Sequence, residues 1–265
     1  MRWLKEKRYL PVLLGNFLKR VSHFQKVDNK YVFILGATHS GTTLMNEILS
    51  TSQQASSNNI KHTREGQLLP TVREHMFTHK QQWNEQLDWD WDFIKREWRK
   101  YWDVTKPILI EKSPPNLLRA FSIERIFVPS YFIVFVRNPY AHCETFIRKN
   151  RYSPEEAAHF VTNTLNYQKK NLEQLQNTVL ITYELLVESP EEFKNTIHRF
   201  LPELNDIRTE GFFSAHNFYN KPQEITNFNK EKIERLSKGQ LLEINRVFER
   251  ESKLLQYFGY SIIDV

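Results

Sequence analysis

An apolar run at residues 31–35 ends at Gly36, and after a short loop a helical pattern opens near Thr42. A strand that turns through two glycines into a helix amino terminus confines the chain to folds of alternating strands and helices. The loop reads GATHSGTT over residues 36–43. Backbone N–H groups in such a turn, together with the dipole of the following helix, make a ready site for an anion. Gly36 and Gly41 have the spacing of the nucleotide-triphosphatase signature GxxxxGK[ST], and Thr43 takes its Ser/Thr position. Thr42, however, stands where that signature places lysine. A hydroxyl does not replace the missing cation, so a group smaller than a triphosphate is expected.

Further short runs of β-branched and aromatic residues occur at 108–110, 131–136 and 179–182. Helical patterns fit 42–50, 116–127, 139–149, 154–176, 190–200 and 230–257. Buried strands alternating with helices indicate an α/β fold with a central, mainly parallel sheet flanked by helices. Ser153 ahead of Pro154 and Glu156 reads as a capping box, and Asn138 ahead of Pro139 as a cap before a first-turn proline. Neither an internal repeat nor a glycine-rich linker divides the chain, so residues 1–265 are expected to form one domain.

Residues 1–28 form the expected basic amphipathic helix, with Leu14, Phe17, Leu18 and Val21 at helical spacing. Packing of that stripe on the protein's own body is the expected arrangement, and contact with a membrane surface the alternative. The longest apolar run there, 10–14, is far below the roughly 20 residues of a spanning helix, and a secretory signal is not visible. One cysteine, Cys143, permits no internal disulfide. These features lead to the expectation of a cytoplasmic protein with an optional membrane association. The excess of 37 Lys and Arg over 31 Asp and Glu, +6 net, favours an anionic ligand but is too diffuse for nucleic acid.

The segment HSGTTLM resembles the 5′-phosphosulfate loop of sulfotransferases that use 3′-phosphoadenosine-5′-phosphosulfate, with His39 where that family usually has arginine or lysine. A second segment strengthens the likeness. The strand YFIVFV runs into Arg137, and Thr145 follows eight positions on, resembling the family's 3′-phosphate site of arginine and serine. A third, VLITYELL, resembles the strand whose closing tyrosine approaches the adenine. The resemblance implies a three-layer fold like that of P-loop nucleotide-triphosphatases. It also implies cofactor contacts from Thr38, His39, Ser40, Gly41, Thr42, Thr43, Arg137, Thr145 and Tyr183. The expected reaction moves a sulfuryl group from the phosphosulfate donor to the hydroxyl of a carbohydrate, glycolipid, small molecule or tyrosine, leaving adenosine 3′,5′-bisphosphate and using no metal.

Such a transfer needs a base for the acceptor hydroxyl and cations where charge develops. REGQLLP resembles the Glu-x-x-apolar-apolar-Pro stretch of tyrosylprotein sulfotransferases, which assigns the base to Glu65, with Glu111 and Glu47 as lesser candidates. Lys112, at a strand carboxyl end in ILIEK, is the expected cation, a place where α/β sheets hold their ligands. His39 is a second candidate to share that task or to protonate the leaving group. The family's carboxyl-terminal cofactor loop is sought at 214–229. Trp91, Trp98 and Trp102 share one helical face, read first as core and alternatively as an acceptor platform. A small-molecule kinase and a non-catalytic nucleotide-binding protein are the competing readings.

Overall fold

The computed structural model describes residues 7–23, 25–59, 63–77, 81–87, 89–214 and 222–265. Strands β1 (Lys30–Gly36), β2 (Ala55–Ser57), β3 (Ile108–Glu111), β4 (Ser130–Val136) and β5 (Thr178–Thr182) form one sheet in the order β2-β3-β1-β4-β5. Every neighbouring pair is parallel. β1, β3 and β4 are buried along almost their whole length, which is why they read as unbroken apolar runs. β2 carries no such signal: Ala-Ser-Ser lacks β-branched and aromatic residues, and its pairing with β3 holds it at the sheet edge.

The helices are α1 (Leu10–Ser22), α2 (Thr42–Leu49), α3 (Arg73–Met76), α4 (Trp91–Tyr101), α5 (Ala120–Ile126), α6 (Pro139–Asn150), α7 (Pro154–Gln174), α8 (Tyr183–Glu188), α9 (Pro190–Phe200), α10 (Asn229–Glu234), α11 (Lys238–Arg250) and α12 (Ser252–Tyr257). The Ser153–Glu156 capping box forms, and Asn138 accepts hydrogen bonds from the Tyr140 and Ala141 N–H groups. Two long helical patterns are broken. The stretch at 116–127 is a 3₁₀ turn (Pro114–Leu118) followed by α5. The stretch at 230–257 becomes α10, α11 and α12, because Ser237 and Gln240 cap a new helix reciprocally.

Alternate residues of β1 feed opposite faces of the sheet. Tyr31, Phe33 and Leu35 join Trp98, Trp102, Phe127 and Phe132, while Val32 and Ile34 join Met45, Ile48, Ile133 and Ile181. This produces the three layers. Trp91, Trp98 and Trp102 are buried. The Trp98 and Trp102 indoles donate to the carbonyls of Gly66 (3.3 Å) and Ile110 (2.8 Å). Their rings are core, held in register by those bonds, and the acceptor-platform reading of these three is set aside.

α1 is helical, but its orientation reverses the expectation. The side bearing Leu13, Asn16, Lys19 and Arg20 meets the body, with Leu13 against the core, and Leu10, Leu14, Phe17, Leu18 and Val21 are exposed. Of the expected helix at 1–28, residues 1–6 and 24 lie outside the described residues, and the helix ends at Ser22, with His23 and residues 25–28 not helical. Among the described residues no helix is long and apolar enough to cross a membrane.

With β1 central, the chain builds β2 and β3 on one side and returns to build β4 and β5 on the other. Such a reversal opens a crevice at the strand carboxyl ends. Gly36 closes β1, and Lys112, Arg137 and Tyr183 each come one residue after the ends of β3, β4 and β5. The topology alone therefore gathers residues spread over nearly 150 positions of sequence.

Candidate active site

A cavity of about 390 Å³ opens at these strand ends. Its lining includes Thr38, His39, Gly41, Thr42, Thr43, Glu65, Lys112, Arg137, Thr145 and Tyr183; Ser40 is absent from it. Ser40 is instead buried in the loop. Its hydroxyl donates to the Ala37 carbonyl at 2.7 Å and its N–H to the same oxygen at 3.1 Å, closing the turn.

Two glycines are required by the loop's shape. A Cβ on Gly36 would stand 2.4 Å from the Thr42 methyl and 3.2 Å from the Phe135 carbonyl oxygen. Gly41 adopts φ +106°, and a Cβ there would stand 2.8 Å from the Tyr183 ring. His39 also takes a left-handed backbone, φ 71°, a conformation with a cost that a packed surround must hold. Its ring meets Phe146 edge-on and its Nε2 lies 3.0 Å from the Asn150 Oδ1. Behind it, the buried His142 Nε2 donates to the Thr38 carbonyl at 2.6 Å. Burial pushes the His142 pKa down to about 3, so this ring is a neutral prop for the loop.

Lys112 is 1 % exposed, and its Nζ lies 3.3 Å from both Thr43 Oγ1 and Glu65 Oε1. Burial lowers its pKa, and the neighbouring Glu65 charge opposes that shift. Glu65 Oε2 accepts from Gln67 Nε2 at 2.6 Å, and the Glu65 carbonyl accepts from Asn59 Nδ2 at 2.7 Å. Both carboxylate oxygens are thus oriented by neighbours. The other carboxylates stand elsewhere: Glu47 pairs with Arg64. Glu111 is fully buried, accepting from Ser113 Oγ at 2.5 Å and Asn116 Nδ2 at 3.3 Å. Burial raises the Glu111 pKa to about 8, and its carboxylate is not part of the cavity lining.

At the other end of the cavity the Arg137 guanidinium lies 3.9 Å from the centre of the Tyr183 ring. Its Nε donates to Asn229 Oδ1 at 2.7 Å and its Nη1 to the His39 carbonyl at 3.3 Å. Nη2 is buried without a hydrogen-bond partner among the described residues. A buried guanidinium N–H left over in this way fits an arriving anion. Thr145 donates to the Ala141 carbonyl one turn back at 3.1 Å, and its Oγ1 accepts from Lys232 Nζ at 2.7 Å. The Tyr183 hydroxyl donates to the Thr226 carbonyl at 3.0 Å, which fastens the 222–229 segment over the cavity.

Lys232 and Asn229 are absent from the residues assigned by sequence, although Asn229 closes the stretch at 214–229 where the carboxyl-terminal loop is sought. Part of that stretch, 215–221, lies outside the described residues. Lys232 sits three residues further on, on α10. Burial and the nearby Arg137 charge push its pKa down to about 7. It faces Arg137, Arg148 and Lys149, with Glu144 as the opposing charge. Such a crowd of cations is what a dianionic phosphate relieves.

A search of curated proteins finds no match. Among solved structures the chain is similar to the sulfotransferase domain of the Synechococcus PCC 7002 olefin synthase, with TM-score 0.56 and 17% identity over 91% of this chain and 98% of that one. It is similar to the sulfotransferase domain of the curacin biosynthetic pathway, with TM-score 0.51 and 19% identity over 84% and 98%. It is also similar to the sulfotransferase STF9 of Mycobacterium avium, with TM-score 0.54 and 11% identity over 97% and 82%. These likenesses show the fold. The model of the sulfotransferase family matches residues 32–204, from β1 to the turn that follows α9. The chain belongs to the sulfotransferase family.

Proposed function

We propose that residues 1–265 act as one catalytic domain that moves a sulfuryl group from 3′-phosphoadenosine-5′-phosphosulfate to an acceptor hydroxyl. The observation that supports this is that one cavity is lined at one end by the glycine loop with Lys112 and at the other by Arg137 with Thr145 and Lys232, two separate groups of N–H, hydroxyl and cationic donors. When bound, the donor supplies the sulfuryl group. The loop N–H groups around Gly41, the Thr42 and Thr43 hydroxyls and Lys112 would hold its 5′ end. The unpartnered Arg137 Nη2, Thr145 and Lys232 would hold its 3′-phosphate, and Tyr183 would flank the adenine.

In this reading Glu65 accepts the proton of the attacking hydroxyl, and Gln67 keeps its carboxylate aimed. Lys112 stabilises oxygens that gain charge as the sulfur–oxygen bond to the donor breaks. His39 borders the same cavity and is assigned to assist the leaving phosphate. The buried lone Cys143 agrees with a cytoplasmic setting. The outward stripe of α1 agrees with a peripheral membrane contact.

The test is transfer of labelled sulfate from the phosphosulfate donor to a panel of hydroxyl acceptors, alongside thermal unfolding with adenosine 3′,5′-bisphosphate or with ATP and magnesium. Labelled product, with stabilisation by the bisphosphate, is expected. Stabilisation by ATP and magnesium alone would favour the kinase reading. Bisphosphate binding without any labelled product would favour the non-catalytic one.

A further inference from the structure

α1 is mounted in the opposite sense to a helix that completes a core, because such a helix turns its apolar stripe inward. Asn16 Nδ2 donates to the Tyr101 carbonyl at 2.7 Å, Arg20 Nη2 donates to the Arg99 carbonyl at 2.6 Å, and Lys19 pairs with Asp103 at 2.6 Å. That side is therefore fixed to the body, with Leu13 packed on the core beside these bonds. Leu10, Leu14, Phe17, Leu18 and Val21, spaced by three and four, are 55–62% exposed on the other side. Of twelve large hydrophobic residues exposed among the described residues, five lie on this one stripe. A contiguous apolar stripe of this kind signals a contact surface.

Charge identifies what covers it. Residues 1–28 hold Arg2, Lys5, Lys7, Arg8, Lys19, Arg20 and Lys26 against Glu6 and Asp28, an excess of five cations. Cations thus flank both ends of the stripe. A second copy would oppose like charges, and a specific dimer needs about 20–30 residues a side, far more than one face of a 13-residue helix. A bilayer with anionic headgroups satisfies both halves. The apolar side enters the acyl boundary, and the basic residues at the two ends of the stripe face the headgroups, while Lys19 and Arg20 hold the helix to the body.

The start of this helix also touches the segment that bears the candidate base. Tyr9 is buried, and its hydroxyl donates to Asn59 Oδ1 at 3.3 Å, while Asn59 Nδ2 donates to the Glu65 carbonyl. We propose that α1 docks the protein on an anionic bilayer surface and that the acceptor hydroxyl is carried by an amphiphile held in that bilayer. The second half rests on the sulfotransferase reading; the first does not.

The full chain and a Leu14→Glu/Phe17→Glu variant are sedimented with phosphatidylcholine vesicles, with or without phosphatidylglycerol. Adenosine 3′,5′-bisphosphate affinity and sedimentation velocity are measured on both proteins. The parent should pellet with the anionic vesicles and be released by high salt. The variant should lose about tenfold or more of that binding with bisphosphate affinity unchanged. Equal pelleting of the two proteins, or none, overturns docking, as does a parent dimer that the variant abolishes. For the acceptor, labelled sulfate is offered with vesicles containing a glycolipid and a long-chain alcohol, beside a soluble sugar, a short alcohol and a tyrosine peptide. Label in the lipid extract is expected, and label only in the soluble compounds overturns the amphiphile half. A chain that binds vesicles but not bisphosphate overturns the sulfotransferase reading while leaving docking in place.

Discussion

Lys112 Nζ lies 3.3 Å from Glu65 Oε1, joining a cation at the end of β3 to a carboxylate that precedes a 3₁₀ turn 47 residues earlier in the chain. The two are assigned opposite tasks, one for the attacking hydroxyl and one for the oxygens gaining charge, so their loss should be felt in turnover and not in donor binding. Glu65→Gln and Lys112→Ala should each lower kcat by roughly two orders of magnitude. Adenosine 3′,5′-bisphosphate affinity should remain near the parent value in calorimetry. Normal turnover in either variant would remove its assignment.

In the proposed site Arg137 would contact only the 3′ end of the donor. Arg137→Ala should weaken adenosine 3′,5′-bisphosphate by about 10- to 100-fold, the usual size of a lost charge-assisted contact. Adenosine 5′-monophosphate, which lacks the 3′ anion, should lose much less. An equal loss for both ligands would mean that the substitution disturbs the fold and not a phosphate contact.

In the proposed site Lys232 would give donor binding a pH dependence. Burial and Arg137 hold its pKa near 7 in the free protein, so as pH rises through 7 the site loses a cation and phosphate affinity should fall. A bound phosphate favours the charged amine, so binding between about pH 7 and 9 should take up a proton. Calorimetry in two buffers of different ionisation enthalpy measures that uptake. It should vanish in Lys232→Met, and an unchanged uptake there would assign it elsewhere.

Glu111 should act on stability. Its folded pKa, about 8, lies above the ordinary carboxyl value of 4.5. Between these two values the unfolded chain is ionised while the folded protein keeps the proton. The stabilisation by the neutral form is therefore complete below about pH 4.5 and lost as pH rises through 8. Relative to the parent, Glu111→Gln should gain in Tm as pH goes from 5 to 8. A difference in Tm that stays constant across that range would contradict the assignment.

β1, β3 and β4 were legible because a strand buried on both faces is apolar almost throughout, and the half-buried β5 because Thr, Val and Ile are β-branched. The glycine loop and the Arg137–Thr145 pair were legible for a related reason: each lies within one strand–loop–helix unit, where local spacing sets geometry. Lys232 was not. It reaches Thr145 from 87 residues downstream, on a short helix with no periodic signature. The outward turn of α1 was hidden as well, since periodicity defines a face without stating what that face meets, and here the polar side chains found the better partners on α4.

A crystal structure of the protein with adenosine 3′,5′-bisphosphate tests the proposed two-ended site most directly. The account predicts the 3′-phosphate between Arg137 Nη2, Thr145 and Lys232, and the 5′-phosphate on the N–H groups of the Gly41 loop beside Lys112. A ligand seated away from Arg137, or saturating bisphosphate that leaves this cavity without density, would contradict it.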